Sequence, residues 1–463
     1  MTIPAGQTSA SFSISTTGGT EDITLTATYG VQSINRSLQV VASAGTRVYP
    51  ANVRVVHLST NDLVFDSVDK LIYASVPSSE FAIGNSITAL DPAKGTIGSS
   101  VFIGSEPTHL AISDDGAFIY AGLYGAAAIR RFDPPTQTAE LQYSLGNGGF
   151  NGVFYPGELV VLPGEPHALA VSRFYGSLSP PFAGTVIYDD AVPRPNVYTG
   201  YPSADSITAG ATANRLYGYD NEDSGFGFSR LNVDSTGISL LDSTSNLISG
   251  YYVEIKYQSG FVFASNGAVV NAEARTLAGS FSGLSNSATV LPDVPRNKVY
   301  FVDTDPSNNT TVLRIFNPKT FLQIAAFELP NLLGGSFGSP SPSSLVEWST
   351  DNVAFRTTGG QVFLVNAAFP ALSNLTVYPT TVIGGKRASG TVKLSNVAPV
   401  GGVQVKLVSS DSHVASVPAS VTVPAGVEKA SFNVTTSKVS SNTTVTITAK
   451  YSGAKSVTMT ITP

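Results

Sequence analysis

Seven times along this chain a strand-like run, a tight polar turn and an aromatic-rich run follow one another, about 47 residues apart. The copies read LVFDSVDKLIYASV (63–76), LAISDDGAFIYAGL (110–123), LVVLPGEPHALAVSR (159–173) and SITAGATANRLYGYD (206–220). They continue as VEIKYQSGFVFASN (253–266), TVLPDVPRNKVYFVD (289–303) and LVEWSTDNVAFRTT (345–358). Such a repeat constrains the fold strongly, because each unit carries an apolar face that only its neighbours can cover. Helical periodicity is nearly absent, and short runs are bounded by Gly, Pro, Asn and Asp. The unit is therefore a small antiparallel sheet.

Each copy except the last continues with two further strand-like runs, such as SITALDP with GSSVFIG or AAIRRFDP with AELQYSL. Four strands at this spacing match the roughly 40 to 50 residues of a β-propeller blade. The seventh copy offers only GQVFLVNA (360–367) after its first two strands, and the missing strand has a candidate upstream in ANVRVVHL (51–58). A ring closes by pairing its chain ends within one blade, because an open ring leaves an unpaired edge. The expectation is an all-β chain with a seven-bladed propeller over residues 46–370, closed by 51–58. VIYDDAVPRP lacks the usual turn, so the limits of the middle blades stay open. Tyr73, Tyr120, Tyr217, Phe263 and Tyr300 share one repeat position, which marks them as packing between blades.

The phrases IYAGLYGAAAIRRFDP and KVYFVDTDPSNNTTVLRIFNPKT resemble the YVTN (YncE-like) β-propeller family, across residues 50 to 368. That resemblance implies a fold and no particular ligand. From Leu372 the composition shifts to Val, Thr and Ser, with seven or so alternating strands in about 90 residues. This suits a β-sandwich without a disulfide over 371–463. Its GG-x-x-x-x-G-T-V stretch (Gly384 to Val392) and following VPAG look like bacterial Ig-like modules of large surface proteins.

MTIPAGQTSASFSIS (1–15) repeats VTVPAGVEKASFNVT (421–435), and ITLTATY (23–29) repeats VTITAKY (445–451). Residues 1–45 thus match the C-terminal half of an Ig-like module, its last four strands or so. Half a sandwich cannot bury enough apolar surface to offset chain entropy. Three completions are open: a missing half upstream in a longer polypeptide, packing on the rest of this chain, or a strand from a neighbouring chain.

Charged residues make up 13% of the chain, against roughly 25% in typical soluble proteins. With a net charge of −6 and no Lys/Arg cluster, a nucleic-acid partner has no electrostatic basis. Cysteine is absent, which excludes disulfides, thiolate nucleophiles and zinc-thiolate sites. No apolar run approaches the roughly 18 to 20 residues of a spanning helix. Residues 1–15 alternate like a strand and the first basic residue is Arg36, so a secretion leader is expected upstream. Asn-x-Ser/Thr sequons at Asn35, Asn308, Asn309, Asn374, Asn433 and Asn442 matter only in a glycosylating host.

Chemistry-bearing motifs are sparse. GGSFG (334–338) sets Ser336 in a G-x-S-x-G pattern, but Pro330 and Pro340 bracket it as an interblade loop without the strand and helix an elbow needs. His57, His109, His167 and His413 show no metal spacing. His167 falls in a hairpin turn and His413 in a sandwich loop, while His109 begins an inner strand and can look into the central channel. SDDG (113–116) has the look of a sialidase Asp-box fragment, yet it serves a hairpin turn better. Asp303, Asp305 and Asn308 in DTDPSNN, and Asp220, Glu222 and Asp223 in YDNEDSG, offer oxygens for Ca²⁺. Neither stretch follows an EF-hand or nonapeptide pattern, and solvated turns are the simpler reading. Loop aromatics Phe150, Phe154, Tyr155 and Tyr251 are candidates for a surface site. No catalytic residue and no cofactor is assigned.

The functional expectation is a non-catalytic extracellular structural or adhesive surface protein. Its partners are other protein chains, copies of itself included, with filament or layer assembly through strand completion as a specific version. The alternatives are a propeller that binds a glycan, small molecule or protein, and an enzyme such as a lyase or hydrolase at the channel mouth. An enzyme needs a convergent acid, base and cation. His109 with two carboxylates and an arginine around a funnel would put it first.

Overall fold

A computed structural model describes residues 21–29, 32–40, 49–285, 288–305, 310–330, 332 and 341–463. Contacts divide the chain into two units, 1–49 and 50–463. In the first, Glu21–Tyr29 and Gln32–Val40 form an antiparallel hairpin, with Glu21 opposite Val40 and Tyr29 opposite Gln32. Residues 1–20, which carry the rest of the expected half-module, lie outside the described residues. The matching C-terminal sequence, Thr443–Lys450 with Ala454–Thr462, is also an antiparallel hairpin.

In the second unit, residues 53–366 form seven four-stranded antiparallel sheets among the described residues. Their innermost strands are Asp62–Asp66, Pro107–Ile112, Phe154–Leu162, Ser206–Ala209, Ile255–Gln258, Thr289–Asp293 and Pro342–Ser349. Each inner strand contacts the next, and Pro342–Ser349 contacts Asp62–Asp66, so the sheets close into a ring. The seventh sheet takes its outer strand from the start of the ring: Val53–His57 pairs with Gln361–Asn366, Val53 opposite Val365 and His57 opposite Gln361. The pairing expected between 51–58 and 360–367 is present.

The turns show why these segments become hairpins. In SDDG, Ser113 Oγ donates to Asp115 Oδ1 at 2.7 Å, and Asp115 Oδ1 accepts the Ala117 N–H at 3.0 Å. Gly116 sits at φ +72°, and a Cβ there would meet Asp66 Oδ1 at 2.9 Å. Only glycine serves both the turn and the neighbouring sheet. In the third sheet the irregular VIYDDAVPRP forms a hairpin from Phe182–Asp189 into a fourth strand of two residues, Val192–Pro193.

Packing between sheets follows the repeat. Tyr73, Tyr120, Tyr217, Phe263 and Tyr300 are buried. Four of them bond to the following sheet. Tyr120 Oη donates to Pro166 O at 2.9 Å, Tyr217 Oη to Glu273 Oε1 at 2.7 Å and Tyr300 Oη to Asp351 Oδ1 at 3.0 Å, while Tyr73 Oη accepts from Gln137 Nε2 at 2.8 Å. A large ring thus fills each interface while its hydroxyl stays satisfied.

After the ring the chain forms a two-sheet sandwich. One sheet holds Leu372–Tyr378, Arg387–Leu394, Lys429–Thr436 and Ala415–Ser416; the other includes Val403–Ser409, Thr443–Lys450 and Ala454–Thr462. Alternation buries Val392, Val405, Val434, Val445, Ile447 and Ile461 between them. Sandwich and ring are joined by more than the linking chain. Asn396 Nδ2 donates to Ala368 O at 2.7 Å and Asn366 O at 3.2 Å, and Val400 N donates to Ala326 O at 2.8 Å.

Candidate functional site

Every inner strand carries a buried aliphatic side chain at one repeat position: Leu63, Leu110, Leu159, Ile207, Ile255, Val290 and Leu345. The residue before each is polar: Asp62, His109, Glu158, Ser206, Glu254, Thr289 and Ser344. Successive strand residues face opposite ways, so the polar set lies on the other face of each inner strand from the aliphatic set. All but Ser206 line the central lumen, a cavity of about 1300 Å³.

The carboxylates in this ring tie neighbouring sheets together. Asp62 accepts Ser344 Oγ at 2.6 Å from the seventh sheet and the Leu110 N–H at 2.8 Å from the second. Glu158 accepts Ser206 Oγ at 3.0 Å and the Ile207 N–H at 2.6 Å from the fourth sheet. Glu254 Oε2 accepts Thr289 Oγ1 at 3.1 Å from the sixth. Inner-strand N–H groups have no ladder partner on the lumen side, and these side chains supply one.

His109, Lys256, Glu347 and Arg356 also line the lumen. His109 Nδ1 stands 4.0 Å from Asp62 Oδ2, beyond hydrogen-bond reach. Lys256 Nζ pairs with Glu254 Oε1 at 2.7 Å. Arg356, on the second strand of the seventh sheet, lies in register with Ser343. Its Nε and the Ser343 Oγ are both buried without a hydrogen-bond partner.

Enclosure by the lumen walls shapes their charge states, although the His109 and Lys256 side chains keep 50% and 46% of their surface open to the cavity. It pushes the Glu158 carboxyl up to about 7; Lys256 and the Ile207 and Ser206 hydrogen bonds oppose the rise, and Glu254 adds to it. Burial, with Arg356 and Lys256, holds His109 below the usual imidazole range against the pull of Asp62 and Glu254. The ring is therefore neutral at pH 7. Burial works against the Lys256 charge, but Glu254, Glu158 and Asp62 outweigh it and keep the ammonium above its ordinary pKa. Arg356 is lowered by burial, with Asp62 opposing, and remains a cation. Phe226, Tyr251 and Tyr252 form the wall where the inner strands begin. Tyr251 meets Phe226 edge-on at 5.0 Å, and Tyr252 is exposed.

No protein-family model matches this chain, and no curated protein matches it. Among solved structures it is similar to the β-propeller domain of Cps50 (Swd1) from Myceliophteria thermophila, at 12% identity and a TM-score of 0.51. That match covers 68% of this chain and 100% of the other. U3-55K aligns at 14% identity over 68% of this chain and 99% of its own, with a TM-score of 0.49. The chain folds as a β-propeller. At these identities the likeness concerns the fold alone.

The residues singled out from the sequence lie in different places. His109 faces the lumen. His167 lies near a hairpin turn, its Nδ1 2.9 Å from Asp190 Oδ1. His57 is on the closing strand, and the His413 N–H donates to Asp411 Oδ1 in an exposed sandwich loop. Of the four aromatics expected in loops, Tyr251 reaches the lumen, whereas Phe154 and Tyr155 stand on the third inner strand and not in a loop. Phe150 is fully exposed, Phe154 lies under the Arg173 guanidinium at 4.2 Å, and Tyr155 stacks on Tyr124 at 4.7 Å. Ser336 and Asn308 lie outside the described residues, as does the Asp305 side chain. Asp303 accepts from Ser285, Asp220 Oδ1 accepts the Asp223 N–H at 3.2 Å, and burial raises the Glu222 carboxyl. Among the described residues no group of three or more His, Asp or Glu side chains is set to hold a metal.

Sequence reasoning missed Asp62, Glu158, Glu254, Lys256 and Arg356. A signal existed for the first three, since each directly precedes the core aliphatic of its inner strand.

Proposed function

We propose that this chain is a non-catalytic scaffold acting outside the cell, a structural or adhesive surface protein of the YVTN-propeller and Ig-module kind. The observation that carries the reading is the continuity of propeller and sandwich through Asn396 and Val400. Two β-rich bodies joined this way hold partners at a fixed separation. The absence of Cys and the presence of only two Met leave little to oxidise, which suits an exposed, long-lived protein. Its partners are other protein chains, among them copies of itself. The sequence shared by the Glu21–Val40 hairpin and the sandwich hairpin supports head-to-tail completion between modules. Labelling intact source cells with a membrane-impermeant biotin reagent, then viewing the native material by negative stain, tests the reading. Labelled protein in regular strings or layers is expected. Protection from the label, or strictly monomeric particles at high concentration, would overturn it.

A second reading, an enzyme of lyase or hydrolase type, is favoured by one specific observation. His109 does stand with Asp62, Glu158, Glu254 and Arg356 around a single lumen, and Glu158 titrates near neutrality as a general acid or base must. This is the arrangement that would place an enzyme first. It stays second because the three carboxylates already accept hydrogen bonds from adjacent sheets, a duty that closing the ring requires with no substrate present.

A further inference from the structure

We propose that the propeller lumen binds a small carboxylate-bearing ligand with a hydroxylated body, the chemical class of sugar acids, with Arg356 clamping the carboxylate. The inference goes beyond the scaffold reading and stands or falls separately from it. Its starting point is a pair of unsatisfied groups. Arg356 and Ser343 sit in register on adjacent strands and both line the lumen, and the Nε of one and the Oγ of the other are buried without a hydrogen-bond partner. A buried polar group without a partner is costly, and more so when charged. Asp62, the acid that pulls on Arg356, has both oxygens engaged by Ser344 and by the Leu63 and Leu110 N–H groups.

A guanidinium presents its donors as a planar fork that matches a carboxylate in two parallel hydrogen bonds. Lys256 adds a second positive charge, although Glu254 shares it. The neutral His109 imidazole offers one donor and one acceptor, the pairing that a sugar hydroxyl satisfies. At the mouth, Tyr251, Tyr252 and Phe226 supply flat apolar faces for the C–H side of a pyranose ring. The cavity of about 1300 Å³ accommodates such a ligand together with its water.

Isothermal titration calorimetry on the whole chain tests this with three probes: glucuronate, glucose and inorganic phosphate. Glucuronate should bind, with glucose and phosphate at least ten-fold weaker, because one lacks the charge and the other the body. Arg356→Gln should weaken glucuronate at least ten-fold, and Arg356→Lys, which keeps charge and loses the fork, should not restore it. Thermal melts establish that both variants are folded. Should neither fold, saturation-transfer NMR on the unmodified chain in a glucuronate–glucose mixture asks the same question. Transfer should go to glucuronate alone. No binding, equal binding of glucose or of phosphate, or unchanged affinity in folded Arg356→Gln would overturn the proposal.

Discussion

At the scale of single residues, Glu158 shows what the ring demands of its members. It joins two inner strands as a hydrogen-bond acceptor, yet burial lifts its carboxyl to about 7 from an ordinary 4.5. Between those values the folded chain holds a proton that the unfolded chain has released. Stability therefore falls as pH rises from about 4.5 to about 7, then stays at the lower level. Glu158→Gln removes this contribution and still accepts the Ile207 N–H. Relative to the parent, the variant should gain stability steadily across that window, by on the order of 3 kcal/mol at pH 7. Lys256 and Glu254, which face the same carboxyl, remain in both proteins. Paired chemical denaturation curves at several pH values measure the difference. A difference that does not change with pH would show that Glu158 is not the titrating group.

The element that decides closure is Val53–His57. Leu58 N donates to Gly360 O at 3.0 Å beyond one end of the pairing, and Asn366 N donates to Asn52 O at 2.8 Å beyond the other. In an antiparallel register the even-numbered residues then carry the ladder bonds, while odd-numbered N–H groups point outward from an edge strand. Val56→Pro should cost about 1–3 kcal/mol through the lost bond and the acceptor it strands. Val55→Pro, whose N–H faces away from the sheet, should cost clearly less. Equal costs for the two variants in urea melts would mean the register is not the one described. This strand was legible in the sequence because closure is an arithmetic property: one sheet lacked a strand and one run lacked a sheet. The buried tyrosines were legible for a similar reason, since Tyr73, Tyr120, Tyr217 and Tyr300 recur in step with the repeat. The lumen was not. Asp62, His109, Glu158, Ser206, Glu254, Thr289 and Ser344 share a position but no chemical type, and what converges there is set by which neighbour each one meets. Arg356 was further from view still, for it comes from a second strand, whose side chains ordinarily pack between sheets.

Across the whole molecule, the junction of propeller and sandwich determines whether the two behave as one body. Little apolar contact is needed when the hydrogen bonds are specific. Asn396 is 5% exposed and reaches back to the carbonyls of Asn366 and Ala368, on the segment that leaves the seventh sheet. Asn366 in turn donates its N–H to Asn52, beside the strand that closes the ring. One amide therefore links the sandwich to the closing sheet, and strain there would pass from one body to the other. Asn396→Ala removes both donors, leaving Asn366 O with only the Asn52 amide and the half-buried Ala368 O short of this bond, at a cost of roughly 1–3 kcal/mol. Scanning calorimetry should then resolve separate propeller and sandwich transitions where the parent melts more nearly together, because the lost energy belongs to their coupling and not to either core. Limited proteolysis should cut the variant faster around residues 367–371, on the short connection Asn396 holds down. If melting stayed unchanged and that connection remained protected, the junction would not be what couples them, and the fixed separation required of a surface scaffold would need another source.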